Sequence, residues 1–161
     1  RLSLLGADMI TDTLNAIESN KFQTVSQTEI ISKQIIEILK KAPKLNKQNT
    51  LIDWHKSALE VYNHIRGLNP SPCAYTYAKN SNDSIQQIKI FYAEIAENFE
   101  VSLSPGKIVI EQSNLFVGTS TQAITIKELQ TEGRKKMTIK EYLNGLQNIT
   151  PQYFVNNNSM Q

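Results

Sequence analysis

The feature that most constrains this chain is a change of hydrophobic period at Asn69-Pro70-Ser71-Pro72. Before it, Ala58, Val61, Tyr62 and Ile65 recur at i, i+3, i+4 and i+7, the spacing of one helix face. Ser57-Ala58-Leu59-Glu60 opens that run as a capping box, in which Ser57 and Glu60 satisfy each other's unpaired backbone donors. With Gly67 as a stop signal, the spacing predicts a helix over 57–66. The two prolines then force extended backbone, and beyond them the period becomes two. Ala74–Tyr77 is β-prone, Lys79–Ser84 reads as a turn, and Ile88, Ile90 and Tyr92 alternate with Lys89 and Phe91. Pro105-Gly106 is another turn, followed by strand-like Lys107–Ile110, Leu115–Thr119 and Ala123–Leu129. Short strands separated by turn signals at roughly 8–12 residue intervals predict a small antiparallel barrel or sandwich. A second capping box, Thr138-Ile139-Lys140-Glu141, opens a helix that Gly145 ends.

The flanks are different in kind. Ile10, Leu14 and Ile17 give one apolar face to a helix over 4–18, which Asn20 closes. A lone amphipathic helix of that length is marginal in water and needs a surface to pack on. Residues 21–50 read as a polar linker with a helical stripe at Ile30, Ile31, Gln34, Ile35, Ile38 and Leu39, stopped by Pro43.

Composition excludes several kinds of function. One cysteine, Cys73, permits neither an internal disulfide nor a multi-cysteine zinc site. No apolar run approaches the roughly 20 residues of a membrane helix, and no secretory signal opens the chain. The two histidines, His55 and His64, lack a metal-ligand spacing, and the six glycines are too scattered for a phosphate loop. Cys73 reads as a small buried residue, Asp53 as a cap or turn residue, and Trp54 as a core or interface anchor. No catalytic constellation and no metal site emerge. The net charge of +2 is small, but its distribution is uneven: residues 21–50 carry six lysines against two glutamates, whereas 51–161 are balanced at ten cations and ten anions. Within the balanced part, Arg134-Lys135-Lys136 form one tight basic cluster between a strand and a capped helix. Such clusters neutralise phosphates without reading sequence, and a solvated charged turn is the alternative.

Four stretches, in order and at familiar spacing, resemble the C-terminal half of the methionyl-tRNA formyltransferase family. They are Leu5-Gly6-Ala7-Asp8-Met9-Ile10 with Thr13-Leu14; Ala42-Pro43-Lys44-Leu45 with Ile52-Asp53-Trp54; Ile65 to Thr76; and Leu129 to Met137 with Tyr142-Leu143-Asn144-Gly145. Two positions depart from the pattern: Ser71 stands where an aromatic is frequent, and Cys73 where glycine or another small residue is common. The resemblance implies a mainly β fold with flanking helices: a small OB-fold-like antiparallel β-barrel preceded by a helical linker. It divides the chain into the closing helix of an N-terminal catalytic domain at 1–20, a linker at 21–50, the barrel domain at 51–149 and a disordered tail at 150–161. It implies a bacterial, cytoplasmic enzyme of translation initiation. That enzyme transfers formyl from 10-formyltetrahydrofolate to the amino group of methionyl-initiator-tRNA. Its catalytic residues lie upstream, in the missing N-terminal domain that would be this part's partner, so this piece is itself inactive and needs neither cofactor, metal nor membrane. The positions matching basic places of the family's motifs are Lys44, Arg66, Arg134, Lys135 and Lys136. Local charge adds Lys47, Lys89 and Lys140. Two alternatives stay open: a related formyltransferase or hydrolase acting on a small molecule, and a stand-alone OB-like interaction module.

Overall fold

The computed structural model describes residues 2–30, 42–97, 102–146 and 150–155. The chain divides into two compact units, Arg1–Pro43 and Lys44–Gln161.

In the first unit, helix α1 spans Leu2–Glu18 and buries none of its residues. Its expected apolar stripe is present, with Ile10, Leu14 and Ile17 exposed. Asn20 closes the helix as the sequence predicts: it takes a left-handed φ of 52°, and the Lys21 amide returns to the Ala16 carbonyl at 2.8 Å. Helix α2 is Gln27–Ile30. The stripe expected through Ile31 to Leu39 lies outside the described residues.

The second unit begins with a single turn, α3 (Lys47–Thr50), capped by Asn46, and continues into helix α4 (Ala58–Leu68), capped by Ser57 and Glu60 as predicted. Seven strands follow: β1 (Ala74–Asn80), β2 (Ile85–Ile95), β3 (Ile108–Glu111), β4 (Asn114–Val117), β5 (Ile124–Thr131), β6 (Met137–Thr138) and β7 (Pro151–Val155). Helix α5 (Ile139–Asn144) lies between the last two, with the Thr138–Glu141 capping box and the Gly145 end the sequence signals. The strands form one antiparallel sheet in the order β3-β4-β5-β2-β1-β7, with β6 also on β5. Its inner face and α4 enclose the core, built on Trp54, Ile65, Ile88, Ile90, Leu115, Ile124, Ile126 and Leu129. Trp54 is 2% exposed. Its indole donates to Thr76 Oγ1 at 3.0 Å, and its ring lies 5.4 Å from that of Phe154, so it is the core anchor expected.

Three expectations are corrected. The sheet is not closed into a barrel. Between its end strands β3 and β7 there is one isolated bridge, from Lys107, the residue before β3, to Tyr153, beside a 2.7 Å bond from the Phe154 amide to the Gly106 carbonyl. Among the described residues the pairing goes no further, because β3 is laddered to β4 and β7 to β1. Residues 151–155, assigned from sequence to a disordered tail, instead form β7, held by pairing with β1 and by burial of Phe154. Tyr92 does not share the inner face with Ile88 and Ile90: the β2–β5 ladder is irregular between Ile90 and Ala93, so Ala93 turns inward and Tyr92 is 46% exposed.

Candidate nucleic-acid interface

The outer face of β1, β2 and β5 is set by simple alternation. On β1, Ala74, Thr76 and Ala78 are buried, so Tyr75, Tyr77 and Lys79 point out. On β2, Ile88 and Ile90 are buried, so Gln87, Lys89 and Phe91 point out. Register joins these into rows: Tyr75 lies opposite Lys89, and Lys89 lies opposite Gln130 on β5.

Hydrogen bonds extend that row at both ends. The Tyr75 hydroxyl donates to the Lys47 carbonyl at 2.9 Å, fixing α3 beside the sheet. At the other end, the Gln130 amide donates to the Arg134 carbonyl at 2.6 Å. The loop there turns on Gly133, at φ 73°, and the Arg134 amide bonds the Thr131 carbonyl at 3.1 Å. The backbone at Lys47, Lys89 and the Arg134–Lys136 loop therefore lies along one continuous belt. Lys44 adjoins it, since its carbonyl accepts from the Asn49 side chain of α3 at 2.9 Å. All six cations of the belt are exposed. Lys136 is partly committed: it pairs with Glu128 at 2.8 Å and lies 5.6 Å from the Phe91 ring centroid.

Two expected residues are not tied to this belt. Arg66 stacks over Tyr62 at 5.5 Å and bonds Asn63 at 3.1 Å, both on its own helix α4. Lys140 is exposed on α5. Sequence reasoning passed over Tyr75, Tyr77, Phe91 and Gln130. The signal available was the Tyr75-x-Tyr77 and Lys89-x-Phe91 alternation, which places aromatic and basic residues on the face opposite the buried alanines and isoleucines.

The remaining titratable groups offer little chemistry. Cys73 is buried, its thiol pushed up by desolvation, so it is a poor nucleophile. Burial likewise pushes the Tyr142 hydroxyl up to about 12. His64 is lowered by desolvation, and its buried Nε2 has no partner among the described residues. Asp53 accepts the His55 amide at 3.1 Å, the turn role expected of it. Among the described residues no group of three or more His, Cys, Asp or Glu side chains could hold a metal ion, and no helix is long and apolar enough to cross a membrane.

Comparison with known proteins covers the same region. The family model described as formyl transferase, C-terminal domain, matches residues 44–147. Methionyl-tRNA formyltransferase of Flavobacterium johnsoniae is 36% identical over 146 residues, 91% of this chain and 44% of that protein. Its counterpart in Thermodesulfovibrio yellowstonii is 32% identical over 90% of this chain and 42% of its own length, and that of Staphylococcus aureus 33% over 92% and 44%. Among solved structures, HypX from Aquifex aeolicus in complex with tetrahydrofolic acid shares the fold at a TM-score of 0.55 and 16% identity, covering 86% of this chain and 22% of that one. A variant of the same protein gives a TM-score of 0.58 at 17% identity. The chain spans less than half the length of the curated relatives it matches.

Proposed function

This chain belongs to the formyl transferase C-terminal domain family, and on that premise we propose that its basic belt holds the backbone of initiator methionyl-tRNA for an enzyme whose formyl-transfer chemistry is carried elsewhere in the polypeptide. The homology is to the C-terminal portion of methionyl-tRNA formyltransferase, a transferase family. The carrying observation is the belt: Lys47, Lys89 and Arg134–Lys136 are tied to one face through Tyr75 and Gln130. Exposed cations along one face meet phosphates without reading bases, which suits a domain that must position one tRNA rather than decode it.

In this reading the complete enzyme works in the bacterial cytoplasm. It transfers formyl from 10-formyltetrahydrofolate to the amino group of methionyl-tRNA, so that the amine nitrogen gains the formyl carbon and loses a proton while tetrahydrofolate departs. The belt is an open sheet surface. It fits an extended polyanion, and in this reading formyl-folate is held elsewhere in the polypeptide. By itself this chain is inactive in formyl transfer. Its part is to reduce the freedom of the acceptor end before the reaction.

The test is the salt dependence of initiator-tRNA binding by this chain. Each phosphate contact contributes a slope of roughly 0.7–0.9 in log affinity against log salt. Replacing Arg134, Lys135 and Lys136 together by Ala is expected to reduce the slope by about two, since Lys136 is partly neutralised by Glu128. Arg66→Ala and Lys140→Ala are expected to have smaller effects. A triple variant indistinguishable from the parent at every ionic strength overturns the assignment and favours a small-molecule formyl acceptor.

A further inference from the structure

We propose that the outer face of β7, β1 and β2 is a stacking platform for unpaired nucleotides, so that this domain engages single-stranded portions of its RNA and not duplex backbone alone; the inference rests on the tRNA reading above and deepens it.

The observation is a second set of rows beside the basic belt. Tyr153 on β7 lies opposite Lys79 on β1, and Lys79 lies opposite the exposed Ile85 on β2. On the other side Tyr153 is bridged to Lys107, whose ammonium sits 4.3 Å from the centre of its ring. One register step along, Tyr77 lies between Val155 and Gln87. Its ring meets Tyr75 edge to face, with centroids 5.7 Å apart and planes at 84°. Tyr75 is itself pinned through its hydroxyl to Lys47. Four aromatic rings, Tyr75, Tyr77, Phe91 and Tyr153, therefore share a face with Lys47, Lys89, Lys107 and Lys136.

Duplex RNA presents phosphates and a shallow groove, and cations alone suffice to hold it. Aromatic rings add affinity only when a base is unstacked and offers its own π-face. Rings held at fixed angles by a sheet lose little freedom when a base stacks on them. Lys107 and Lys136 lie over the Tyr153 and Phe91 rings and Lys89 lies opposite Tyr75, so cations are at hand for the phosphate of a nucleotide stacked on the open side of those rings. Tyr153, 37% exposed, is the ring most open to a base.

The experiment compares this chain and its variants on three probes: a single-stranded oligouridine of about ten nucleotides, a blunt RNA duplex carrying the same number of phosphates, and initiator tRNA. The parent is expected to prefer the single strand to the duplex. Tyr77→Leu with Tyr153→Leu keeps apolar volume but removes the rings. It is expected to weaken single-strand and tRNA binding roughly tenfold per ring, with an unchanged salt slope. The matching Phe substitutions are expected to retain binding. Tyr153→Leu alone, at the most exposed ring, keeps the test decisive should the double variant melt early. If the Leu variants bind every probe like the parent while the Arg134–Lys136 triple variant loses slope, stacking is wrong and the phosphate belt stands. If the triple variant also behaves like the parent, the RNA reading itself fails.

Discussion

Cys73 adopts a left-handed φ of 72° with its side chain buried and its thiol 3.2 Å from the Ile90 carbonyl. The conformation accounts for the residue type common at this position, since a left-handed backbone favours glycine. Cys73→Val is expected to cost about 2 kcal/mol in urea unfolding, because a β-branched side chain is strained there and adds bulk to a packed site. Cys73→Gly is expected to fall within about 1 kcal/mol of the parent, strain relief offsetting lost packing. His64 makes a second residue-scale prediction. Burial holds its imidazole below the ordinary value of 6.5, aided by Lys56 and opposed by the Thr50 and Leu51 carbonyls. The unfolded chain therefore binds the proton more readily than the folded one. Stability is complete above pH 6.5 and declines as pH falls through that value toward the folded pKa. Unfolding midpoints measured from pH 7.5 to 5 are expected to show that decline and to flatten in His64→Gln. Sequence alone showed Cys73 to be small and buried and Trp54 to be an anchor, because both follow from residue type. It could not show that Trp54 needs Phe154, a hundred residues away, to cover its ring.

Among the elements, the helices were the most legible. Both capping boxes, Ser57 with Glu60 and Thr138 with Glu141, start their helices where the pattern places them, since caps are local chemistry. Strands were legible where alternation was strict and illegible where pairing decides. β6 has only two residues, β7 has no apolar alternation, and Tyr92 changes face at a ladder irregularity. The clearest element-scale dependence is at Gly106. Its φ of 78° is left-handed, and a Cβ there would run into the Phe154 carbonyl oxygen. Gly106 must also accept the Phe154 amide. Gly106→Ala is expected to cost about 3 kcal/mol and to detach β7, red-shifting Trp54 fluorescence as Phe154 withdraws. A blue, parent-like emission with unchanged stability would contradict this account of how β7 is held.

For the molecule as a whole, the two units differ in how they are stabilised. Lys44–Gln161 has the sheet, the core and the belt; Arg1–Pro43 contributes a helix with no buried residue. A polypeptide of residues 44–161 is expected to unfold cooperatively with a midpoint within a few degrees of the full chain, measured by circular dichroism. A loss of cooperativity would show that the first unit is needed for folding. The net balance of charge over residues 51–161 concealed the belt, because a sum over sequence averages over faces. The sheet gathers Lys89 and the Arg134–Lys136 loop on one surface, while Glu94 is committed elsewhere to Lys127 at 3.0 Å.

Order of synthesis gives β7 a further meaning. It is the last of the described strands to leave the ribosome, yet it pairs with β1, the first. A nascent chain halted between Gly145 and Pro151 would carry every described helix cap and most of the core, but it would present a bare strand edge open to self-association and an indole without its cover. A chain ended at that point is thus expected to be aggregation-prone rather than a shortened working form.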